Sequence, residues 1–327
     1  MLIFSDLHLR EDSADVVLGE VLPGILDACV KAGESVLACL GDFYHFRYRI
    51  DVRIQNEVRA WLQRVARAGI SVHLLPGNHD QVDFIGRNAL EVFADYTNVR
   101  VYTEPTWTEV GLWIPYRKDP NDIAKALALP APQGFQSAPR VLFMHHGVRG
   151  AFMSNTMLDT EGLPLEWFQS WSRVLCGHYH KRQDLGQLTY IGSPWQTKAD
   201  EAGQPKGFAF WNGRELKFED KRWGPRYADL EVGPGAMELA LKYAGSYGPR
   251  DIVRIRTAPG IDPGAVGAAF AAKGATVVVT PEVVIAEARI QLPESSSLAD
   301  YAAKYVELTP TSLDKTKLMA VFKELTQ

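Results

Sequence analysis

The sequence predicts an α/β fold, and two observations support that prediction. Over roughly the first 220 residues, short apolar runs alternate with longer stretches in which apolar residues recur at helical spacing. Glycine follows several of these stretches at the position where a helix C-cap would require it. Such an alternation of strands and helices indicates a sheet that is at least partly parallel.

The first elements follow in chain order from these patterns. Residues 2–4 form an apolar run that ends abruptly in polar residues. Ser13 is a candidate cap for a helix that continues towards Lys31 and ends at Gly33. Pro23 lies inside this stretch, and we expect it to shorten or kink the helix because proline lacks the N–H that a helix interior needs.

A clearer helix begins at Asp51 and ends at Gly69, since its apolar residues recur every three or four positions. The other apolar runs predict strands, and two of them flank Asn212-Gly213, a pair typical of a two-residue hairpin turn. The predicted strands cover residues 35–40, 70–75, 99–102, 112–114, 141–144, 174–176, 188–191, 208–211 and 215–218.

The pattern of apolar runs and helical stretches changes near Gly224-Pro225, and we place a domain boundary there. Residues 1–224 form the α/β domain, residues 225–294 a small α+β domain, and residues 295–327 a helical segment. The elements expected in the small domain are strands at 252–255, 276–279 and 283–292 and an alanine-rich helix at 264–273.

Bulk composition narrows the class of protein. At 327 residues the chain is long enough for about two domains, and its 46% hydrophobic and 23% charged residues are ordinary for a globular protein. Its three cysteines, Cys29, Cys39 and Cys176, form no C-x-x-C pair, which argues for a reducing compartment and against a disulfide framework.

The sequence shows no basic leader and no apolar run of membrane-spanning length, so we expect a cytoplasmic protein with no membrane partner. The net charge of −4 does not indicate nucleic-acid binding by the molecule as a whole. Contact with an anionic polymer would need a local basic patch or bound metal ions.

Five apolar runs end in residues that commonly bind metal ions. In α/β folds, ligands bind in the crevice beyond the carboxyl ends of the strands. Each motif alone has a structural alternative, because a single histidine is more often a surface or core residue than a ligand. The five motifs are Asp6-x-His8, Gly41-Asp42, Gly77-Asn78-His79-Asp80, His145-His146 and Gly177-His178-Tyr179-His180.

The residue types in these motifs suit a pair of divalent metal ions. Two ions about 3.5–4 Å apart can activate a water and hold the oxygens of an in-line phosphoryl displacement. Such a pair needs a bridging carboxylate, further oxygen donors and imidazoles. Two aspartates, one asparagine and four histidines are available as ligands. None of the motifs contains a cysteine, which argues against a structural zinc site.

These motifs, in this order, resemble those of the calcineurin-like metallophosphoesterase superfamily. The resemblance implies a β-sandwich core flanked by helices and a metal pair bridged by Asp42. The ligands that it implies are Asp6, His8, Asp42 and His180 for one ion, and Asn78, His145 and His178 together with Asp42 for the other.

The same resemblance implies roles for residues that do not bind metal. His79 would stand near the scissile phosphate, where it would stabilise the transition state or protonate the leaving oxygen. Asp80 would orient His79. The metal ligand in the His145-His146 pair could be either residue, and His145 is preferred because it ends the strand directly.

Within the superfamily, Gly41-Asp42-Phe43-Tyr44-His45 resembles the G-D-L-F-H block of the SbcD-type nucleases of DNA repair and recombination. The protein-phosphatase patterns G-D-x-V-D-R-G and G-N-H-E are not found in the chain. The resemblance implies a manganese-dependent DNA exonuclease and endonuclease in which His45 helps to position the substrate phosphate. It is specific over residues 1–200 and only architectural after about residue 225, and the chain is short for the family, in the range of its phage members.

The SbcD-type resemblance also implies partners. The small domain would cap the nuclease domain and contact DNA, and the C-terminal helical segment would dock on a coiled-coil ATPase of the SbcC type. Members of this family often dimerise, so a homodimer is a further expectation.

Basic residues near the motifs have two interpretations. Arg149 closely follows the histidine pair, where it could face phosphate. Six arginines on or before the Asp51 helix could contact phosphate or form an ordinary solvated face; they are Arg47, Arg49, Arg53, Arg59, Arg64 and Arg67.

Two other functions stay open from the sequence. The first is a metallophosphoesterase that acts on small phosphodiesters or nucleotides. The second is a binding module that keeps the fold without catalysis.

Overall fold

The computed structural model describes residues 1–83, 86–136, 140–233, 235, 237–258 and 261–281, together with 304–306, 314, 315 and 317. Its strands are β1 (Leu2–Phe4), β2 (Val36–Cys39), β3 (Ser71–Leu74), β4 (Val99–Val101), β5 (Thr106–Thr108), β6 (Gly111–Ile114), β7 (Val141–His145), β8 (Arg173–Gly177), β9 (Gln183–Leu185), β10 (Leu188–Tyr190), β11 (Gly207–Trp211), β12 (Leu216–Asp220), β13 (Tyr227–Val232), β14 (Ile252–Thr257) and β15 (Thr276–Pro281).

Helices cover both outer faces of the strands. The α-helices are α1 (Ala14–Val16), α2 (Leu22–Ala32), α3 (Val52–Arg67), α4 (Pro120–Leu127), α5 (Met237–Ala244) and α6 (Pro263–Ala271). A π-helical turn, Val17–Val21, joins α1 to α2. Short 3₁₀ turns occur at Glu11–Ser13, Glu91–Phe93, Leu165–Phe168 and Ala199–Glu201.

Two six-stranded sheets pack face to face. Their strand orders are β12-β11-β1-β2-β3-β4 and β5-β6-β7-β8-β10-β9. In the first sheet, β1 to β4 are parallel, and β11 and β12 add antiparallel pairs at one edge. In the second sheet, β6, β7, β8 and β10 are parallel, and β5 and β9 pair antiparallel at the two edges. Side chains from the two sheets share one buried layer, in which Trp113 stacks between Tyr102 and Phe143 at ring distances of 4.5 and 4.1 Å. The expected β-sandwich flanked by helices is confirmed.

Parallel pairing brings the five motifs to one edge. The last residues of β1, β2 and β3, Phe4, Cys39 and Leu74, lie side by side in register. In the second sheet His145, at the end of β7, pairs with Gly177, at the end of β8. The loops that leave these strands therefore meet beyond their carboxyl ends.

The first helical stretch differs from the prediction at Pro23. The chain forms the π-helical turn before this residue, and Pro23 then lies in the first turn of α2, where no intrahelical N–H is needed. Gly33 ends the helix in the left-handed conformation, as expected. Ser13 precedes α1, but its side chain does not cap the helix.

The second predicted helix is confirmed at both ends. The side chain of Asp51 accepts a hydrogen bond from the Arg53 N–H at 2.7 Å. Gly69 follows the helix with a positive φ of 72°. The buried face of α3 packs on the first sheet, and the Trp61 indole donates to the carbonyl of Leu22 in α2 at 2.9 Å.

Strands β13, β14 and β15 form a separate parallel sheet with its own apolar core. The predictions of β14, α6 and β15 are confirmed, whereas β13 and α5 were not predicted. The predicted strand at 283–292 and most of the helical segment 295–327 lie outside the described residues. The domain division at residue 224 stays a prediction.

Candidate metal centre

The expected ligands meet at the edge where the five loops converge. Asp6, His8 and His180 form one group, and their potential ligand atoms all lie within 4.8 Å of one another. Asp42, His145 and His178 form a second group within the same limit. The structure thus assembles two clusters from residues that are far apart in the sequence.

Asn78 completes the second cluster. Its amide oxygen lies 3.2 Å from Nε2 of His145 and 2.9 Å from Nδ1 of His178. All seven expected ligand residues therefore lie at one centre.

Asp42 lies between the two clusters. Its Oδ2 is 3.6 Å from Nε2 of His8 and 3.4 Å from Nε2 of His145. Its other oxygen accepts a hydrogen bond from the His79 N–H at 2.8 Å. This is the position that a bridging carboxylate would require.

The backbone is strained at four of these residues. Asp6, His8, Asp42 and His178 have φ values of 54°, 48°, 51° and 101°, and among the described residues they are the non-glycine residues with positive φ. This backbone conformation is uncommon for residues other than glycine, although Asp and His adopt it more readily than most. Strain of this kind concentrates at functional sites, where surrounding contacts hold it in place. Here Asp6 N–H donates to Gly41 and His8 N–H to the carbonyl of Asp42, at 2.9 and 3.0 Å.

The motif glycines allow the loops of the centre to pack closely, because a Cβ at these positions would collide with a neighbouring loop. A Cβ on Gly41 would collide with the His145 ring, and one on Gly77 with Asp42. A Cβ on Gly177 would collide with the Leu40 carbonyl. Of the three, Gly41 also has a positive φ, at 98°. A turn that needs positive φ therefore explains Gly41 together with close packing, and close packing of the loops explains Gly77 and Gly177.

Hydrogen bonds fix the rings of two ligands. His145 Nδ1 donates to the Leu40 carbonyl at 2.7 Å, which directs Nε2 towards Asp42. His180 Nδ1 lies 2.6 Å from a carboxylate oxygen of Glu201. Glu201 was not predicted, because no motif in the sequence connects it with the ligands.

Burial and neighbouring charges together shift the pKa values of the candidate ligands. It lowers the pKa of His178 to about 3 and that of His8 well below its usual range. Burial opposes ionisation of Asp42, but the charge of His145 and its hydrogen bond hold the pKa of this carboxyl well below its usual range. Burial also disfavours a charged His145, yet Asp42 and Asp6 raise its pKa to about 9.

This donor set fits divalent metal ions. Neutral imidazoles have free lone pairs, and an ionised carboxylate lies among them. Imidazole, carboxylate and amide oxygen together are ligands that divalent transition-metal ions accept.

His146 points away from the centre. Its two ring nitrogens lie 3.1 and 3.0 Å from the carbonyls of Gly147 and Arg117, and its ring stacks on Tyr116. The structure therefore places His145, and not His146, with the candidate ligands.

His79 and His45 lie side by side at the mouth of the centre. Their rings stack at 5.1 Å, and His79 Nδ1 donates to the backbone carbonyl of His45 at 2.8 Å. His45 also lies 3.2 Å from His8 and 3.2 Å from the Arg10 guanidinium. Burial, followed by the charge of Arg10, lowers the pKa of His45 to about 4.

Comparison with known proteins identifies the family. Residues 1–225 match the model of the calcineurin-like phosphoesterases. The chain belongs to this family. A related protein, exonuclease subunit 1 of Enterobacteria phage T4, is 26% identical over 220 residues, which are 64% of this chain and 63% of that protein. The match thus spans less than two thirds of the length of the phage protein.

Two solved structures resemble the phosphoesterase distantly. One is the Pseudomonas putida nuclease MPE, with 14% identity and a TM-score of 0.32, covering 66% of this chain and 86% of that chain. The other is a dimetal phosphatase from Danio rerio, with 11% identity and a TM-score of 0.35, covering 64% of this chain and 90% of that chain. Likenesses this low do not bear on the function.

The hydrogen bonds of the Asp80 carboxylate are with backbone groups of the two adjoining loops, so its role in orienting His79 stays a prediction. The Asp80 carboxylate accepts hydrogen bonds from the backbone N–H groups of Gly77, Phe43 and Tyr44, at 2.9, 3.2 and 2.9 Å. It therefore ties the loop after β3 to the loop after β2. The His79 ring donates to the His45 carbonyl.

Arg149 is exposed and does not line the pocket above the centre, so its phosphate-facing role stays a prediction. The pocket above the centre, of about 270 Å³, is instead lined by the basic residues Arg10 and Lys198. Arg10 lies two positions after His8 and could have been suspected from that spacing, whereas Lys198 carries no sequence signal.

A wider groove of about 880 Å³ adjoins this pocket. The two share Arg10, His45 and His79. Of the six arginines singled out in the sequence, Arg47 and Arg49 line the groove.

Within the described part of the chain, the structure contains no helix that is both long and apolar enough to cross a membrane.

Proposed function

We propose that the protein is a DNA nuclease that hydrolyses phosphodiester bonds with a pair of divalent metal ions, with Mn²⁺ as the expected metal. The observation that carries this proposal is the pair of ligand clusters on either side of Asp42. In the proposed centre, Asp6, His8 and His180 bind one ion, and Asn78, His145 and His178 bind the other. Asp42 is shared by both. The chemistry that such ions supply is Lewis acidity towards a phosphodiester oxygen and activation of water.

His79 is the proposed acid or electrostatic partner of the substrate. Its Nδ1 carries a proton, because the His45 carbonyl can only accept a hydrogen bond. Nε2 is then the atom left for the substrate, and a protonated ring would donate from it to the leaving oxygen. The stacked His45 ring holds this geometry from one side.

The substrate proposal rests on the groove beside the centre. Tyr48 and Phe46 are 77% and 52% exposed, and Arg47 and Arg49 lie between and beside them. Exposed aromatic rings stack on bases, and arginines contact phosphates. The groove leads to His45 and His79, so a bound strand could reach the metal centre.

The proposed setting is a complex for DNA repair or recombination. The phage relative is named as a subunit of an exonuclease, and the Gly41–His45 block resembles SbcD-type nucleases. We propose that residues 1–224 cut DNA, that residues 225–294 cap this domain, and that residues 295–327 bind a coiled-coil ATPase of the SbcC type.

The decisive test is cleavage of linear single-stranded and double-stranded DNA and of bis-p-nitrophenyl phosphate, with Mn²⁺ or with EDTA, by the wild type and Asp42→Asn. We expect Mn²⁺-dependent DNA degradation that EDTA and the substitution abolish, because both metal positions share this carboxylate. Turnover of the small diester with DNA left intact would favour a phosphoesterase of small substrates. No turnover of any of these substrates would contradict the proposal.

A further inference from the structure

A buried ion pair lies directly behind one of the candidate ligands. Glu201 and Lys206 are 2% and 5% exposed, and their charged groups are 2.7 Å apart. A buried carboxylate and a buried ammonium are both costly to remove from water. None of the steps proposed above uses either residue, so their position needs its own explanation.

The Glu201 carboxylate fixes the His180 ring. One oxygen lies 2.6 Å from His180 Nδ1 and 2.6 Å from the Thr197 hydroxyl. The other oxygen lies 2.7 Å from the Lys206 ammonium, so the buried carboxylate is one half of an ion pair. An ionised carboxylate can only accept hydrogen bonds, so His180 Nδ1 must be the donor. The lone pair of the neutral ring is then on Nε2, which faces His8 at 2.8 Å.

Lys206 fixes the backbone of the same ligand. Its ammonium donates to the His180 carbonyl at 2.9 Å and to Ser193 and Gln204 at 2.7 and 3.0 Å. Gly192 packs against that carbonyl, where a Cβ would be 3.0 Å away. The ion pair thus holds His180 at both its ring and its main chain, and Lys206 compensates the charge of Glu201.

The turn that carries Glu201 is itself anchored to the small sheet. The Glu201 carbonyl accepts from the Gln196 amide at 3.0 Å, and Gln196 accepts from the Tyr227 N–H at 2.5 Å. Arg254 in β14 donates to the Ala199 carbonyl at 2.9 Å. The carboxylate is therefore held from two sides, which limits the directions in which it can move.

We propose that Glu201 is a positioning residue for His180. It sets which nitrogen of His180 is protonated and how the ring is oriented, so that Nε2 faces the metal centre. Lys206 offsets the cost of burying the Glu201 charge. This inference rests on the proposed metal centre. Removing a partner of this kind typically lowers metal affinity about 10- to 100-fold.

Two measurements test the proposal. In the metal-free wild type, ¹⁵N-edited NMR of the histidine rings, with His180→Gln for assignment, should show His180 protonated on Nδ1. By calorimetric titration with MnCl₂, Glu201→Leu/Lys206→Met should bind one of two ions about 10- to 100-fold more weakly than the wild type. The double substitution is chosen because it removes both charges and leaves neither buried alone.

Controls separate positioning from general stability. Glu201→Gln keeps an oxygen that can accept from Nδ1, so its affinity should lie between those of the wild type and the double variant. Asp251→Asn alters another buried carboxylate, which pairs with Arg222 and Arg226 away from the candidate ligands. This substitution should leave Mn²⁺ affinity unchanged.

Distinct outcomes overturn distinct claims. His180 protonated on Nε2 in the wild type would overturn the positioning role, even if the double variant did not fold. Wild-type affinity in a folded double variant would overturn it as well. A wild type that binds no Mn²⁺ would instead overturn the proposed metal centre, and this inference with it.

Discussion

At the scale of single residues, the candidate metal centre holds its candidate ligands apart from His79, the residue that we propose acts on the substrate. The ligand atoms belong to side chains that other protein atoms hold in place, whereas His79 is half-buried at the pocket mouth. The His79 ring is hydrogen-bonded through Nδ1 to the backbone of His45, and only the backbone N–H of His79 contacts the Asp42 carboxylate, so replacing the side chain leaves that contact in place.

The substitution His79→Leu should therefore separate catalysis from metal binding. We expect DNA cleavage to fall about 10²- to 10⁴-fold, the usual contribution of a positioned acid or base, with unchanged Mn²⁺ affinity. Single-turnover cleavage and calorimetric titration measure the two quantities. His146→Leu is the matched control, since this ring lies outside the centre and should leave cleavage nearly unchanged. Full activity of His79→Leu would remove the proposed role.

Sequence patterns were sufficient to predict which candidate ligands meet at one centre but not the residues that support them. The ligands follow buried strands, and the parallel order of those strands then brings them together. Glu201 follows no strand, and its link to His180 arises only when the chain folds back.

At the scale of elements, the predictions failed where an element was short or weakly patterned. The strands β5 and β9 are as short as β1 but mostly polar, with the sequences TWT and QDL, so neither forms an apolar run. The helix α4 buries only Ile123 and Ala126, so it has almost no apolar stripe. The π-helical turn before Pro23 was also beyond prediction, because a proline inside a helical pattern can be accommodated in several ways.

Two helix caps of the same chemistry allow a test of the loop before α3. Asp51 and Asp119 each accept from the N–H two residues later, at 2.7 and 2.9 Å. Either aspartate replaced by alanine should lower the midpoint of thermal unfolding by a few degrees. Because the Asp51 loop carries His45 and lines the groove, Asp51→Ala alone should also raise the KM for DNA. Equal KM values in the two variants would show that the loop does not contribute to substrate binding.

At the scale of the whole molecule, few polar contacts join the small sheet to the β-sandwich. Glu20, in the π-helical turn, pairs with Arg250 and accepts from the Gly224 N–H at 3.1 Å. On the other side, Arg254 and Tyr227 reach the turn around Ala199 and Gln196. The sequence could place a change of pattern at residue 224 but could not predict these contacts, because their partners are remote in the chain.

The Glu20 contact should make stability depend on pH. Burial opposes its ionisation, but hydrogen bonds from Arg250 and Gly224 outweigh burial and lower the pKa below the ordinary value of 4.5. A folded-state pKa below the unfolded one contributes stability that is present above pH 4.5 and is lost as the pH falls through the folded value. The difference in unfolding midpoint between the wild type and Glu20→Gln should therefore shrink from about pH 6 to about pH 3. A difference that stays constant over this range would exclude the ion pair as its source.

From the four left-handed residues of the centre we expect an effect on how long the protein persists in a cell. Each holds the chain in a conformation that costs about 1–3 kcal/mol, and the buried carboxylates of Asp6 and Asp42 add mutual repulsion. A cation that binds only the folded chain offsets this by mass action. A shortage of divalent ions would then shorten the lifetime of the protein as well as abolish its proposed activity. The rate of digestion by a protease, compared with and without EDTA, would measure this effect.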